Sequence, residues 1–142
     1  AAGGAVLVPK DELMARSDVV SIHLKLSDRT RGLVGRRELG LMKPTAYIVN
    51  TSRGPIVDEE ALLEHLREKR IAGAALDVYG VEPLPADHPM RRLENTVLLP
   101  HAGYVVEQNY RLVYSDTLAD IEAFLDGRVV RPLNTLPARG PR

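Results

Sequence analysis

Short apolar runs alternate with helical segments along most of this chain, and no other feature restricts the fold as strongly. Short apolar runs occupy 18–24, 46–50, 72–78 and 95–100, and the first of them is rich in β-branched residues. Runs of this length and composition predict β-strands. A regular order of strand, helix and strand predicts βαβ units, and therefore a parallel sheet.

The intervening segments have the composition of helices. Helical patterns occupy 9–17, 36–43, 58–70 and 107–125. In 58–70, Asp58 is placed to cap a helix with acidic residues in its first turn and basic residues in its last. The predicted strands are almost continuously apolar, which is typical of a parallel sheet with helices on both faces. We therefore predict an α/β, Rossmann-like fold with flanking helices.

Composition excludes several functional classes. The chain has 19 basic and 19 acidic residues and no long basic block, so charge does not favour nucleic acid or an anionic membrane as a partner. Because there is no cysteine, disulfides and thiolate metal sites are excluded. No signal peptide is evident, and we expect a cytoplasmic protein with one partial domain at 1–134 and a disordered tail at 135–142.

Four chemically useful side chains follow predicted strands. Arg53 follows the strand at 46–50, Asp77 and Glu82 follow the apolar run GAAL (73–76) of the third strand, and His101 follows 95–100. In parallel sheets, ligands bind outside the carboxyl ends of the strands. We therefore expect these side chains to meet at one edge of the sheet.

These residue types predict a site for a small carboxylic acid. An arginine binds a carboxylate through two parallel hydrogen bonds, and a histidine exchanges protons near neutral pH. A neighbouring carboxylate orients the histidine ring. Taken singly, Arg53 is more often a surface charge, Asp77 a turn cap and Glu82 a solvated loop residue. Their joint placement favours a site.

Three segments resemble one known family. NTSRGPIVDEEAL (50–62), AGAALDVYGVEPLP (72–85) and LLPHAGYV (98–105) are similar, in this order, to the D-isomer-specific 2-hydroxyacid dehydrogenases. The resemblance covers roughly residues 5–134. It implies an oxidoreductase that transfers a hydride between NAD or NADP and a D-2-hydroxyacid or 2-oxoacid, as a homodimer in the full-length protein.

The resemblance also implies roles for individual residues. Arg53 matches the arginine that binds the substrate carboxylate, His101 the catalytic acid/base, and Glu82 the glutamate paired with that histidine. Asp77 matches the aspartate that contacts the nicotinamide carboxamide. The positions expected to contact the cofactor are Leu24, Thr51, Ser52, Arg53, Asp77, His101 and Gly103. No metal site is implied.

The sequence lacks the glycine-rich loop G-x-G-x-x-G that binds the cofactor pyrophosphate. We therefore expect the C-terminal half of a dinucleotide-binding domain, beginning after the first βαβ unit. Such a chain is expected to be inactive alone, to bind NAD weakly or not at all, and to expose an apolar edge and face of its sheet.

Three other interpretations remain open. The first is a non-catalytic NAD-binding scaffold or corepressor-like relative. The second is a hydrolase that uses Ser52 and His101, and the third is a purely structural domain. A hydrolase is disfavoured because no G-x-S-x-G motif is present. Lys25 stands where the family often has proline. Neither His65 nor His88 matches a catalytic position, and both are expected to be solvated.

Overall fold

A computed structural model describes residues 4–133, and the tail predicted at 135–142 lies outside them. The chain forms two compact units, residues 1–103 and residues 104–142. The first unit contains a sheet and its helices. Its helices are α1 (Lys10–Arg16), α2 (Arg36–Leu41) and α3 (Glu59–Arg67), and its strands are β1 (Val19–Ile22), β2 (Tyr47–Asn50), β3 (Gly73–Leu76) and β4 (Thr96–Leu98).

The sheet of residues 4–133 has four parallel strands in the order β1-β2-β3-β4. One row of paired residues runs through Ile22, Asn50 and Leu76 to Leu98. All four strands therefore end at the same edge of the sheet, within one residue of each other in register. The predicted parallel α/β fold is confirmed, and the candidate side chains follow the strands at this edge.

One face of the sheet packs against the helices. Val20, Ile48 and Leu76 point into a single apolar core that also contains Leu39 of α2 and Leu66 of α3. The helix α3 begins where the sequence predicted, because the Asp58 carboxylate accepts a hydrogen bond from the Ala61 N–H at 3.0 Å. Capping of this kind satisfies a backbone donor that the helix leaves without a partner.

The opposite face of the sheet is not covered within the first unit. Val19, Tyr47 and Val97 are 58%, 52% and 60% exposed, although they lie on three strands of a regular sheet. Alternating residues of a strand point to opposite faces, so these three side chains form one apolar surface. Within the first unit, helices thus cover one face rather than both, and this unit has the expected exposed apolar face.

The second unit consists mainly of helix α4 (Glu107–Leu125). The helix ends at Leu125, and Gly127, just beyond this end, has a φ of +73° and donates its N–H to the Phe124 carbonyl at 3.0 Å. A glycine adopts this left-handed conformation without steric cost, so the predicted end of the helix is confirmed. None of the helices within residues 4–133 has the length and apolar character needed to cross a bilayer.

Two histidines differ from their predicted environment. His65 is 1% exposed, with Nδ1 2.7 Å from the Ala61 carbonyl one turn earlier in α3. His88 is partly buried, with Nε2 3.2 Å from the Glu59 carboxylate and Nδ1 accepting from the Met90 N–H. The prediction that both rings are solvated is wrong, because each ring has local hydrogen-bond partners that satisfy it away from water.

The uncovered face predicts self-association of the isolated chain. We expect Val97→Lys to weaken this association by roughly 10- to 100-fold, because burying one valine contributes about 1.5–3 kcal/mol. Sedimentation velocity over a concentration series measures the effect. Val6→Lys is the matched control, since Val6 is 81% exposed and lies outside the sheet. Association that is unchanged in Val97→Lys, or equally reduced in both variants, contradicts this role for the face.

Candidate active site

The side chain of Asn50, the last residue of β2, holds the turn that follows the strand. Asn50 is 1% exposed; its Oδ1 accepts from the Ser52 N–H and its Nδ2 donates to the Arg53 carbonyl, both at 3.0 Å. Ser52 Oγ donates to the Ile22 carbonyl of β1 at 2.7 Å. These contacts fix the backbone from which the Arg53 side chain projects, and they join the ends of β1 and β2.

The Arg53 turn lies directly against the loop that carries Glu82. A Cβ atom on Gly54 would come within 2.0 Å of the Tyr79 carbonyl carbon and 2.1 Å of its oxygen. Only glycine permits two backbones to approach this closely. The absence of a side chain at Gly54 therefore sets the distance between the two turns.

Glu82 and His101 are in direct contact. His101 Nδ1 lies 2.7 Å from Glu82 Oε2, and the other carboxylate oxygen, Oε1, accepts from the Tyr79 N–H at 2.9 Å. The hydrogen bond with His101 lowers the pKa of Glu82 below its usual value, with smaller contributions from the Tyr79 N–H and the charge of Arg53, against burial, which raises it. The carboxyl group is therefore ionised at neutral pH.

This contact decides which nitrogen of the imidazole carries a proton. An ionised carboxylate only accepts hydrogen bonds, so Nδ1 must be the N–H that donates to Glu82. In the neutral ring, Nε2 then holds the lone pair. The arrangement matches a general base whose tautomer is fixed by an acid behind it.

The buried carboxylate of Asp77 holds the turn that contains His101. Asp77 is 3% exposed, and its two oxygens accept from the Ala102 and Gly103 N–H groups at 2.7 and 2.8 Å. A Cβ on Gly103 would lie 2.9 Å from Asp77 Oδ2, closer than real contacts allow. His101 itself has a φ of +57°, a left-handed conformation that non-glycine residues rarely adopt.

Two cavities lie at this edge of the sheet. One, of about 530 Å³, adjoins Glu82 and His101 and has mainly apolar walls that include Leu98 and Pro100. The second, of about 460 Å³, lies beside the ends of β1 and β2 and is lined by Leu24, Ser52 and Arg53, among others. Residues predicted to contact the cofactor therefore line a cavity next to the Arg53 turn.

The structure places the predicted residues in one region, in different surroundings. Leu24, Thr51 and Gly103 are exposed at the carboxyl ends of β1, β2 and β4, whereas Asp77 is buried. Ser52 is partly buried, and its hydroxyl donates to a backbone carbonyl. Contact of these residues with a cofactor stays a prediction.

Sequence reasoning missed four residues that build the site. Asn50, Gly54, Tyr79 and Glu59 carry no reactive role, but each fixes a turn; Glu59 Oε2, for example, accepts from the Gly80 N–H at 3.2 Å. A polar Asn50 ending an apolar strand was a usable signal, because a buried amide needs hydrogen-bond partners. Nothing in the sequence pattern indicated the Tyr79 contact.

A parallel sheet with these turns at its carboxyl edge defines a class, the dinucleotide-binding α/β domains. Within that class, residues 1–103 match the family described as "D-isomer specific 2-hydroxyacid dehydrogenase, NAD binding domain". The chain belongs to this family. Its membership confirms the predicted resemblance and the NAD class of cofactor.

Individual relatives support the assignment. The chain is 45% identical over 126 residues to a glyoxylate reductase from Aeropyrum pernix, covering 89% of this chain and 38% of that protein. It is 37% identical over 127 residues to a D-3-phosphoglycerate dehydrogenase from Methanocaldococcus jannaschii, covering 89% and 24%. The chain thus spans well under half the length of these relatives.

A solved structure has the same fold. The crystal structure of a putative D-3-phosphoglycerate dehydrogenase oxidoreductase from Ralstonia solanacearum superposes with a TM-score of 0.83 at 39% identity. The match covers 93% of this chain and 39% of that one. The partial, Rossmann-like architecture predicted for this chain is therefore confirmed.

The close approach at Gly54 predicts a large effect of one methyl group. We expect Gly54→Ala to lower the free energy of unfolding by about 3 kcal/mol or more, because the added Cβ overlaps backbone that cannot rotate away. Gly40→Ala is the matched control: no atom lies within 4 Å of that Cβ, and alanine in a helix stabilises by about 0.5–1 kcal/mol. Urea denaturation compares the two. Equal stability of Gly54→Ala and the wild-type chain contradicts the contact.

Proposed function

We propose that this chain is part of an NAD(P)-dependent D-2-hydroxyacid dehydrogenase that interconverts a D-2-hydroxyacid and its 2-oxoacid. The observation that carries the proposal is the 2.7 Å contact between His101 Nδ1 and Glu82 Oε2. This contact lies beside the Arg53 turn, whose Gly54 touches Tyr79. A proton donor, its orienting acid and a carboxylate-binding cation are thus held on adjacent turns.

His101 is the proposed acid and base. With Glu82 bound to Nδ1–H, Nε2 is the nitrogen that gives a proton to the carbonyl oxygen of a 2-oxoacid in reduction. In oxidation, Nε2 takes that proton from the hydroxyl group. Glu82 stabilises the imidazolium form by its negative charge and keeps the ring in one orientation.

Arg53 is the proposed binding group for the substrate carboxylate. Its planar guanidinium presents paired N–H donors that match the two oxygens of a carboxylate. One nitrogen, Nη1, already donates to the Ser52 carbonyl at 2.6 Å, which limits the side chain to part of its rotamer range. A carboxylate held there places the neighbouring oxygen of the substrate within reach of His101.

The residues present suit one end of the cofactor. Gly103 packs on Asp77 and is exposed beside His101, which supports contact of this turn with the nicotinamide end of the cofactor. When bound, NAD(P) supplies or accepts the hydride in the reaction. The phosphate-binding loop is not in this sequence, so we propose that the chain alone lacks turnover and binds NAD weakly.

The alternatives receive less support. A scaffold or corepressor-like relative has no chemical need for an ionised glutamate on the histidine ring. A hydrolase would need the Ser52 hydroxyl as a nucleophile, but that hydroxyl donates to the Ile22 carbonyl. We further propose a cytoplasmic location and, for the full-length protein, a homodimer that acts on small 2-hydroxyacids and not on nucleic acid or membranes.

A chimera tests the proposal. Residues 5–133 would replace the matching segment of the Aeropyrum pernix relative, and reduction of glyoxylate would be followed by NADH or NADPH oxidation. We expect His101→Asn to lower kcat by about 10²–10⁴-fold, as for loss of a general acid. We expect Arg53→Met chiefly to raise KM.

Arg67→Met is the matched control, because Arg67 is exposed near the end of α3, and it should leave both constants unchanged. A folded chimera in which His101→Asn retains full activity contradicts the proposed role of His101. Turnover of any 2-oxoacid by the isolated chain contradicts the proposed inactivity.

A further inference from the structure

The cavity beside the ends of β1 and β2 has positively charged walls. Its lining residues are His23, Leu24, Lys25, Leu26, Ser52 and Arg53, and no carboxylate is among them. Lysine and arginine therefore face one space of about 460 Å³, which is wider than a phosphate group needs. A cleft lined by one sign of charge concentrates ions of the opposite sign.

Among the described residues, no carboxylate is in salt-bridge contact with either cation of this cavity. Within residues 4–133, Lys25 and Arg53 form no ion pair with a carboxylate, whereas Lys43, for example, pairs with Asp18 at 2.8 Å. The polar contact made by the Arg53 guanidinium is with the Ser52 carbonyl. The charge of Lys25 is thus available to a ligand, whereas the charge of Arg53 also lowers the pKa of Glu82.

Hydrogen bonds fix the backbone of Lys25. Thr30 Oγ1 donates to the Lys25 carbonyl at 2.7 Å and accepts from the Ser27 N–H at 2.8 Å. The segment after β1 is therefore tied to the loop that follows it. A lysine on a fixed backbone presents its charge to the cavity at a lower entropic cost than one on a mobile loop.

The strand order places Lys25, but not the whole cavity, away from the proton-transferring pair. At the carboxyl ends of the strands, Asp77 and His101 follow β3 and β4, whereas Lys25 follows β1, the outermost strand on the other side of the strand order. Neighbouring strands are about 4.8 Å apart, so the two places are separated by roughly 10–15 Å along the carboxyl edge. A dinucleotide whose nicotinamide lies beside His101 can extend across β2 and bring a phosphate group to β1.

We propose that Lys25 binds a phosphate group of the dinucleotide in this cavity. The inference rests on the proposed function for the direction in which the cofactor lies. Two groups share the required chemistry, the pyrophosphate that joins the nucleotides and the 2′-phosphate that distinguishes NADP from NAD. Lys25 supplies a hydrogen-bonding cation three residues after the end of β1.

Binding to the 142-residue chain tests the proposal without any turnover. Inorganic pyrophosphate, NAD⁺ and NADP⁺ would each be titrated into ¹⁵N-labelled wild-type chain and into Lys25→Met, with amide shifts as the readout. We expect pyrophosphate to shift the amides of residues 24–26 and Lys25→Met to weaken its binding by about tenfold, the effect of one charge-assisted hydrogen bond. Lys69→Met is the matched control, because Lys69 lies before β3, at the amino ends of the strands.

The dinucleotides distinguish the two sources of phosphate. If wild-type chain prefers NADP⁺ and Lys25→Met loses that preference, the 2′-phosphate is the ligand. If NAD⁺ and NADP⁺ lose affinity equally, it is the pyrophosphate. Pyrophosphate binding that depends on Lys25, with neither dinucleotide bound, overturns the assignment of this phosphate to the dinucleotide and leaves the proposed function, which expects weak NAD binding by this chain, unaffected. Equal binding by wild-type and Lys25→Met, or no binding of pyrophosphate at millimolar concentration, overturns the inference.

Discussion

The buried carboxylate of Asp77 is the interaction on which the candidate site depends. It accepts two backbone N–H groups from the turn after β4, and so it joins the ends of β3 and β4. Hydrogen bonds to a charged acceptor are stronger than those between neutral groups. They stabilise a turn in which His101 has a left-handed backbone, a conformation that costs on the order of 1–3 kcal/mol.

The other turns are connected to this one through backbone contacts. Tyr79 donates its N–H to Glu82, and its hydroxyl lies 2.8 Å from the Leu99 carbonyl, two residues before His101. Gly54 packs on the Tyr79 backbone from the β2 side. Arg53, Glu82 and His101 are therefore fixed by neighbouring residues that have no reactive chemistry of their own.

Much of this arrangement could be predicted from the sequence. The period of the apolar runs determined the strands, and parallel pairing determined that Arg53, Glu82 and His101 follow strand ends on one edge. The buried His65 could not be predicted, because its carbonyl partner is supplied by helix geometry rather than by a pattern of residues. The contact of Gly54 with Tyr79 joins turns that are far apart in sequence, so it could not be predicted from local propensity.

The most direct test of this account is the tautomer of His101, read from ¹⁵N spectra of the imidazole in the wild-type chain and in Asp77→Asn. With Glu82 behind the ring, the neutral wild-type histidine should carry its proton on Nδ1. Asp77→Asn should weaken that preference, because one of the two oxygens that accept the Ala102 and Gly103 N–H groups becomes an NH2 donor. Asp87→Asn, in an exposed loop, should not. A wild-type ring protonated on Nε2, or a preference unchanged by Asp77→Asn, would contradict the account.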